Sequence, residues 1–179
     1  MTRSRPETDG AGVRAGVAGS LGQHGVSQNG ASQRRGGGAG RILALALVRL
    51  FVVAGLAVDG YVHVDLAGLY SEAGGAISEG VLFRAEAVVA LAVAILVAAT
   101  GRRMSYVAAL VVAASALAAM LVARYVDVGA IGPFPDLYDP VWFPEKVLAA
   151  IGEGVAVLAA AAGIALLWTR KARAEGQTG

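Results

Sequence analysis

Residues 81–100 read VLFRAEAVVALAVAILVAAT and contain only two charged side chains, Arg84 and Glu86. An apolar run of this length matches the roughly 20 residues that an α-helix needs to cross about 30 Å of hydrocarbon. A membrane β-strand would instead alternate apolar and polar residues over about 10 positions, and this run does not alternate. The stretch therefore predicts a transmembrane helix.

Three further apolar runs of similar length lie on either side of this stretch. They cover residues 42–62, 106–126 and 146–168 of the 179-residue chain. Hydrophobic residues make up 56% of the chain and charged residues 16%, whereas a soluble domain is closer to half apolar and a quarter charged. The sequence thus predicts an all-α membrane protein, in which residues 41–168 form a bundle of four transmembrane helices.

The segments outside the predicted bundle are polar. Residues 1–40 are rich in Gly, Ser, Gln and Arg, a composition that buries too little apolar surface to offset the entropy of ordering. We therefore expect a disordered N-terminal tail, and a short basic tail at residues 169–179. A cleaved secretory signal is not expected, because about forty polar residues precede the first apolar run.

Basic residues next to the apolar runs predict the topology. In a four-span chain they all fall on one side of the membrane, and an excess of Lys and Arg marks the cytoplasmic side. Both termini are therefore predicted to be cytoplasmic, in the plasma membrane of a bacterium whose Arg, Ala and Gly usage is typical of a GC-rich genome. These basic residues are Arg3, Arg5, Arg14, Arg34, Arg35, Arg41, Arg102, Arg103, Arg170, Lys171 and Arg173.

The two connections on the opposite side are expected at residues 63–80 and 127–145. The second contains four of the five prolines of the chain, and proline prevents a continuous helix. Pro144 is well placed to begin the fourth helix. The aromatic residues of this side fit either a belt at the lipid headgroups or a lid over an outward-facing acidic chamber.

Ionisable residues in or beside the spans are the candidate site residues, because such groups are costly in the bilayer and usually face the protein interior. Gly55, Asp59 and His63 share one helix face if the first helix continues to His63. Small residues at four-residue spacing let membrane helices pack closely. The candidates for ligand binding or ion coupling are Asp59, His63, Glu79, Arg84, Glu86, Arg124, Asp127 and Glu153.

Depth within the membrane suggests one buried ion pair. With helices that rise 1.5 Å per residue, Arg49 and Glu153 differ in level by roughly 10 Å, which two extended side chains can bridge. The sequence therefore predicts a structural pair between the first and fourth spans. The alternative for Arg49 is that its side chain reaches the phosphates of the inner leaflet.

Metal and catalytic motifs are weak in this sequence. His63, Glu86 and Asp127 offer an imidazole and carboxylates that hard or borderline ions accept, but no clustered histidines accompany them, so no metal site is predicted. The absence of cysteine excludes thiolate sites. No nucleophile-elbow, phosphate-loop or dinucleotide motif is present; an enzyme is not favoured, the cofactor is left open, and no nucleic-acid partner is expected.

One short segment resembles a known group. Leu47-Val48-Arg49-Leu50-Phe51 with Gly55 is similar to the opening helix of the DoxX-like group of small four-span bacterial membrane proteins. The resemblance implies the four-span layout, a loose link to quinones and respiratory chains, and a shared role for Arg49. Residues 63–66, 75–84 and 131–133 also resemble uncharacterised four-span bacterial membrane proteins, which implies a topology and no activity.

Three functions are compatible with these observations. The first is a non-enzymatic accessory or small-ligand-binding membrane module with an outward-facing acidic chamber. The second is a small oligomeric transporter or channel coupled to protons or cations, with Glu86 and Glu153 as carriers. The third is a quinone- or metal-linked redox subunit. The expected partners are the lipid bilayer and either further copies of the chain or a larger membrane protein.

Overall fold

The computed structural model describes residues 24–71 and 76–175, with side chains for residues 38–71 and 76–168. It contains four helices: α1 (His24–Leu69), α2 (Glu79–Thr100), α3 (Arg103–Tyr125) and α4 (Pro144–Glu175). Within the described residues the only β-structure is an isolated bridge between Ile131 and Phe134. The chain divides into two units, Met1–Ile42 and Leu43–Gly179, and the bundle described below belongs to the second.

All four helices are long and apolar enough to cross a membrane. The spanning parts are Gly38–Leu69, Glu79–Thr100, Arg103–Tyr125 and Pro144–Trp168, and at most 33% of each apolar window is buried inside the protein. Large apolar side chains such as Leu158, which is 73% exposed, therefore cover the outside of the bundle. Such a surface suits lipid rather than water, and the prediction of four helices long and apolar enough to span a membrane is confirmed.

Local signals place the helix ends. At the start of α2, the Ser78 hydroxyl accepts a hydrogen bond from the Val81 N–H, the usual role of an N-cap serine. At its end, Gly101 adopts φ 54° and donates its N–H to the Val97 carbonyl at 3.0 Å. This left-handed glycine turns the chain directly into α3. The fourth helix begins at Pro144, as the sequence predicts.

The first helix is longer than the predicted span at both ends. Residues 24–40 are helical, where the sequence predicts a disordered tail; residues 1–23 of that tail lie outside the described part. At the other end α1 continues past Val62 to Leu69, because Val62 and Leu66 are buried against the other helices. The predicted connection at residues 63–80 is correspondingly shorter.

Two apolar clusters fill the bundle at different heights. We name the end that carries residues 70–78 and 126–143 the long-loop end, and the end at Gly101 the short-turn end. The long-loop cluster consists of Val62, Leu66 and Ala149, with Tyr70, Phe83, Met120 and Phe143 packed against it. The short-turn cluster consists of Val52, Leu56, Ala90, Ala94, Val97, Tyr106, Ala109, Ala113, Ala156 and Ala160.

The backbones of α1 and α4 touch where two glycines meet. A Cβ atom added at Gly55 would lie 2.5 Å from the Gly152 carbonyl oxygen, and one added at Gly152 would lie 2.9 Å from the Gly55 carbonyl oxygen. Real Cβ atoms do not approach backbone oxygen so closely, so the helices can reach this separation only because both positions lack a side chain. The contact lies one turn from Asp59 and one residue from Glu153.

We predict that Gly55→Ala lowers the free energy of unfolding of the protein in detergent by about 1–3 kcal/mol, the usual cost of overpacking. Gly154→Ala is the control, because a Cβ atom there has no neighbour within 4 Å. We expect this variant to be more stable than the wild-type protein by roughly 0.5–1 kcal/mol, since a helix favours alanine over glycine by that amount. Reversible unfolding of both variants measures the difference. Equal stabilities would contradict the close contact.

Candidate functional site

Three ionisable side chains meet between the two apolar clusters. Asp59 and His63 lie on successive turns of α1, Glu153 lies on α4, and one ligand atom from each is within 4.8 Å of the others. The side chains of Asp59 and Glu153 are 0% exposed and that of His63 is 13% exposed. The predicted alignment of Gly55, Asp59 and His63 on one face is formed, because α1 continues beyond His63.

Equal depth brings the two acids together. Asp59 lies ten residues before the end of α1 at Leu69, and Glu153 lies nine residues after the start of α4 at Pro144. At 1.5 Å per residue these positions are about 15 Å and 14 Å from the long-loop end. The contact between Gly55 and Gly152 then holds the two helices close enough for the carboxylates to face each other.

The carboxylates lack hydrogen-bond donors. The His63 Nδ1 atom lies 3.0 Å from the main-chain carbonyl oxygen of Asp59 and 2.9 Å from its Oδ1 atom; the directed hydrogen bond goes to the carbonyl, and Oδ1 is left with an ion-pair contact only. Both carboxylate oxygens of Asp59 and both of Glu153 are buried without a hydrogen-bond partner. Each unsatisfied buried acceptor costs about 1–3 kcal/mol, and more if charged.

The second helix adds a third carboxylate and an aromatic wall. Glu86 is half-buried, its Oε1 atom has no hydrogen-bond partner, and it lies within electrostatic range of Asp59, His63 and Glu153. The Phe83 ring packs edge-on against the His63 imidazole with 5.4 Å between ring centroids. The imidazole is therefore fixed between Asp59 and an apolar surface.

The acidic cluster is enclosed at both heights. The long-loop cluster covers it on one side and the short-turn cluster on the other. The acids thus lie beneath an apolar layer at the long-loop end. Above that layer lies a cleft of about 220 Å³, lined by Asp65, Leu66, Leu69, Tyr70, Phe143 and Glu145.

Tyr70 connects the cleft to the apolar layer. Its ring packs edge-on against Phe83 at 5.2 Å between centroids. Burial, reinforced by the carboxylates of Asp139 and Glu79, raises the pKa of the Tyr70 hydroxyl above its usual value. The phenol therefore stays protonated at neutral pH and can act as a hydrogen-bond donor at the floor of the cleft.

Four predicted site residues lie away from the acidic cluster. Arg84 is exposed on α2, and Glu79 is half-buried in the first turn of that helix. The Arg124 guanidinium lies over the Tyr125 and Trp142 rings, at 5.1 Å and 5.9 Å from their centroids. The Asp127 carboxylate accepts a hydrogen bond from the main chain of the loop. Of the metal candidates, only His63 and Glu86 belong to the site.

The predicted ion pair between Arg49 and Glu153 is not formed in the structure. The Arg49 guanidinium donates from Nε to the Val97 carbonyl at 2.9 Å and from Nη2 to the Ala98 carbonyl, and it packs against Gly101. These carbonyls lie in the last turn of α2, at the negative end of its dipole, which favours a cation; the Val97 carbonyl also accepts the Gly101 N–H. The depth argument was wrong because α1 extends to Leu69, which places Asp59 at the level of Glu153.

One ion pair was not predicted from the sequence. Lys146 is 7% exposed, and its Nζ atom donates to the Asp139 carbonyl oxygen at 2.7 Å and to Asp139 Oδ2 at 2.9 Å. The Asp139 N–H in turn donates to the Ala123 carbonyl at 2.9 Å. These bonds tie the proline-rich loop to α3 and α4. Asp139 lies in that loop, seven residues before Lys146 in α4, and a separation of this kind gives no sequence signal.

No protein family model, curated protein or solved structure matches this chain. The resemblance to the DoxX-like group therefore rests on the segment around Arg49 and Gly55. A four-helix layout by itself specifies no activity, so the function depends on the geometry of the site.

Double-mutant cycles on the free energy of unfolding in detergent separate the two pairings. For Arg49→Ala and Glu153→Gln we expect additive effects to within about 0.5 kcal/mol, because the residues share no contact. For Asp59→Asn and Glu153→Gln we expect an interaction energy of about 0.5–3 kcal/mol, because each change relieves the same repulsion. Additivity in the second cycle, or coupling in the first, would contradict the structure.

Proposed function

We propose that this protein is a non-enzymatic membrane module that binds a small cation between α1 and α4. The observation that carries the proposal is the pair of fully buried carboxylates, Asp59 and Glu153, whose four oxygens have no hydrogen-bond partner. A cation bound between them contacts both carboxylates, whereas a proton shared between the two would satisfy only one oxygen of each.

Electrostatics support a bound cation. Burial of an ionised carboxylate costs several kcal/mol after relaxation, and two of them at close range also repel each other. His63 pairs with Asp59 and Lys146 pairs with Asp139, whereas neither carboxylate oxygen of Glu153 has a hydrogen-bond donor among the described residues. A cation supplies the missing charge.

The enclosure of the site favours binding over conduction. The two apolar clusters fill the bundle on both sides of the acids, and a continuous ion pathway would need polar groups or water at those heights. A cation held here is occluded from both ends. The acidic site is therefore suited to hold its ligand and not to pass a stream of ions.

For orientation, we propose that the short-turn end faces the cytoplasm in the cell membrane. Arg102 and Arg103 form the tight turn there, and the Arg103 guanidinium lies 4.3 Å from the centre of the Trp168 ring. Basic residues concentrate on the cytoplasmic side and tryptophans at the headgroup level. This assignment gives cytoplasmic termini and places the proline-rich loop outside.

The absence of cysteine in the natural sequence makes this orientation directly testable. In intact bacterial cells, we expect Ala130→Cys in the proline-rich loop to react with a membrane-impermeant maleimide. Thr178→Cys near the C-terminus should react only after the cells are permeabilised, because the proposed topology places the C-terminus in the cytoplasm. The reverse labelling pattern would invert the proposed topology.

The binding proposal predicts stabilisation by at least one cation. We expect at least one of Na⁺, K⁺, Mg²⁺, Ca²⁺, Mn²⁺ and Zn²⁺ to raise the Tm of the chelator-treated full-length protein in detergent. At 100 times Kd the stabilisation is about 2.7 kcal/mol, or roughly 5–10 °C. The combined variant Asp59→Asn, Glu153→Gln should lose this shift, because it removes both charges.

A matched control keeps this test specific. Asp65 and Glu145 lie on the same two helices as the buried acids, but their side chains are exposed. The combined variant Asp65→Asn, Glu145→Gln should therefore keep the cation-dependent rise in Tm. If no cation stabilises the wild-type protein, or if both combined variants respond equally, the proposed function is wrong.

A further inference from the structure

We infer that the cation is a divalent transition metal of the Zn²⁺ or Mn²⁺ class, ligated by Asp59, His63 and Glu153. The inference deepens the proposed function and rests on it. It starts from two independent observations. The first is the geometry of three donors within 4.8 Å of one another, and the second is that both carboxylates are fully buried with unpartnered oxygens.

The spacing of the donors suits a metal ion. A metal at about 2.1 Å from each ligand atom holds neighbouring ligands about 3.4 Å apart in a tetrahedral site. Donors within 4.8 Å of one another reach that separation through small side-chain rotations. The backbone is already in place, because the contact between Gly55 and Gly152 fixes α1 against α4.

The charge of the site selects a divalent ion. Two carboxylates and a neutral imidazole carry a charge of −2, so a divalent cation leaves the cluster neutral inside the bundle. A monovalent cation would leave one buried negative charge uncompensated, at a cost of several kcal/mol. Glu86, half-buried on α2, lies within electrostatic range of these residues and outside the set of three ligands.

The chemistry of the ligands selects among divalent ions. Ca²⁺ and Mg²⁺ prefer shells made of oxygen atoms, whereas imidazole suits Zn²⁺, Fe²⁺ and Ni²⁺, and carboxylates also accept Mn²⁺. Soft ions that need thiolates are disfavoured, because the chain contains no cysteine. One imidazole with two carboxylates is therefore a set for borderline transition metals.

The His63 imidazole is oriented for this role. Its Nδ1 atom faces Asp59, 2.9 Å from Oδ1, and the edge of the ring is held by Phe83. When the ring is the imidazolium paired with Asp59, the metal replaces the Nδ1 proton, which passes to the solvent; the ring becomes a neutral ligand that keeps its other proton on Nε2 and donates the Nδ1 lone pair to the metal. Metal binding therefore releases protons, and no electrons change hands.

A route into the site leads from the long-loop end. Leu66 and Phe143 line the cleft there and also belong to the long-loop cluster or pack against it. This apolar layer separates the cleft from the buried acids. A metal must displace it to enter, so we expect slow loading and slow release.

The test uses the two histidines of the chain as a matched pair. His63 lies in the site, whereas His24 is the first residue of α1 and lies 39 residues earlier in the chain. The full-length protein is purified with a tag that contains no histidine, treated with chelator, incubated with Zn²⁺ or Mn²⁺ and dialysed. Elemental analysis then gives the metal content, and Tm reports whether each variant is folded.

We expect one metal ion per chain in the wild-type protein and in His24→Gln. In His63→Gln and in Glu153→Gln the affinity should fall at least 100-fold, beyond the 10–100-fold loss that changes outside the ligand shell cause. Glu153→Gln removes a buried charge, so its fold should survive. Protons released on metal addition, measured with a pH indicator, should also disappear in His63→Gln.

The outcomes distinguish this inference from the proposed function. If Na⁺, Mg²⁺ or Ca²⁺ stabilises the protein through Asp59 and Glu153 while Zn²⁺ and Mn²⁺ do not bind, the metal assignment is wrong and cation binding stands. If Zn²⁺ and Mn²⁺ bind equally to wild type and His63→Gln, the assigned ligand set is wrong. If no cation binds, both proposals fail.

Discussion

The close backbone contact between Gly55 on α1 and Gly152 on α4 is the constraint on which the site depends. Each carbonyl oxygen occupies the space that the other residue's Cβ atom would need. In lipid, helices associate through close packing and polar contacts rather than through the hydrophobic effect, so such a contact fixes their separation and register. Because Asp59 and Glu153 flank it, the same contact that packs the helices also forces two carboxylates together.

The surrounding layers make that arrangement costly. The long-loop and short-turn clusters exclude water above and below the acids, and exclusion of water strengthens every charge interaction between them. The third helix adds no compensating charge at this height, where it presents the small residue Ala116. The bundle thus holds an unneutralised acidic layer between two apolar layers, and α1, α2 and α4 each contribute a carboxylate to it.

The fold followed from the sequence, whereas the pairing of the acids did not. Long apolar runs, each with only one or two charged residues, predicted all four helices, and the Ser78 cap, Gly101 and Pro144 are local signals that mark helix ends. The end of α1 depends on tertiary burial of Val62 and Leu66, which no local signal reports. That error of about two turns moved Asp59 too close to the surface and led to Arg49 as the partner of Glu153. The individual site residues Asp59, His63, Glu86 and Glu153 were predicted, because intramembrane charges are rare enough to stand out.

The position of the Arg49 side chain bears on why the bundle keeps two buried acids. Arg49, in the middle of α1, is engaged by the carbonyls that end α2, although an acid pair without a counter-charge lies further along the same helix. A buried charged group can often be replaced by well-packed apolar residues with no loss of stability, and the neighbouring core is already built from Ala, Val and Leu. A fold that needed only packing would continue that pattern through residues 59 and 153. The two buried carboxylates therefore support the proposed cation, which would supply the positive charge that they lack.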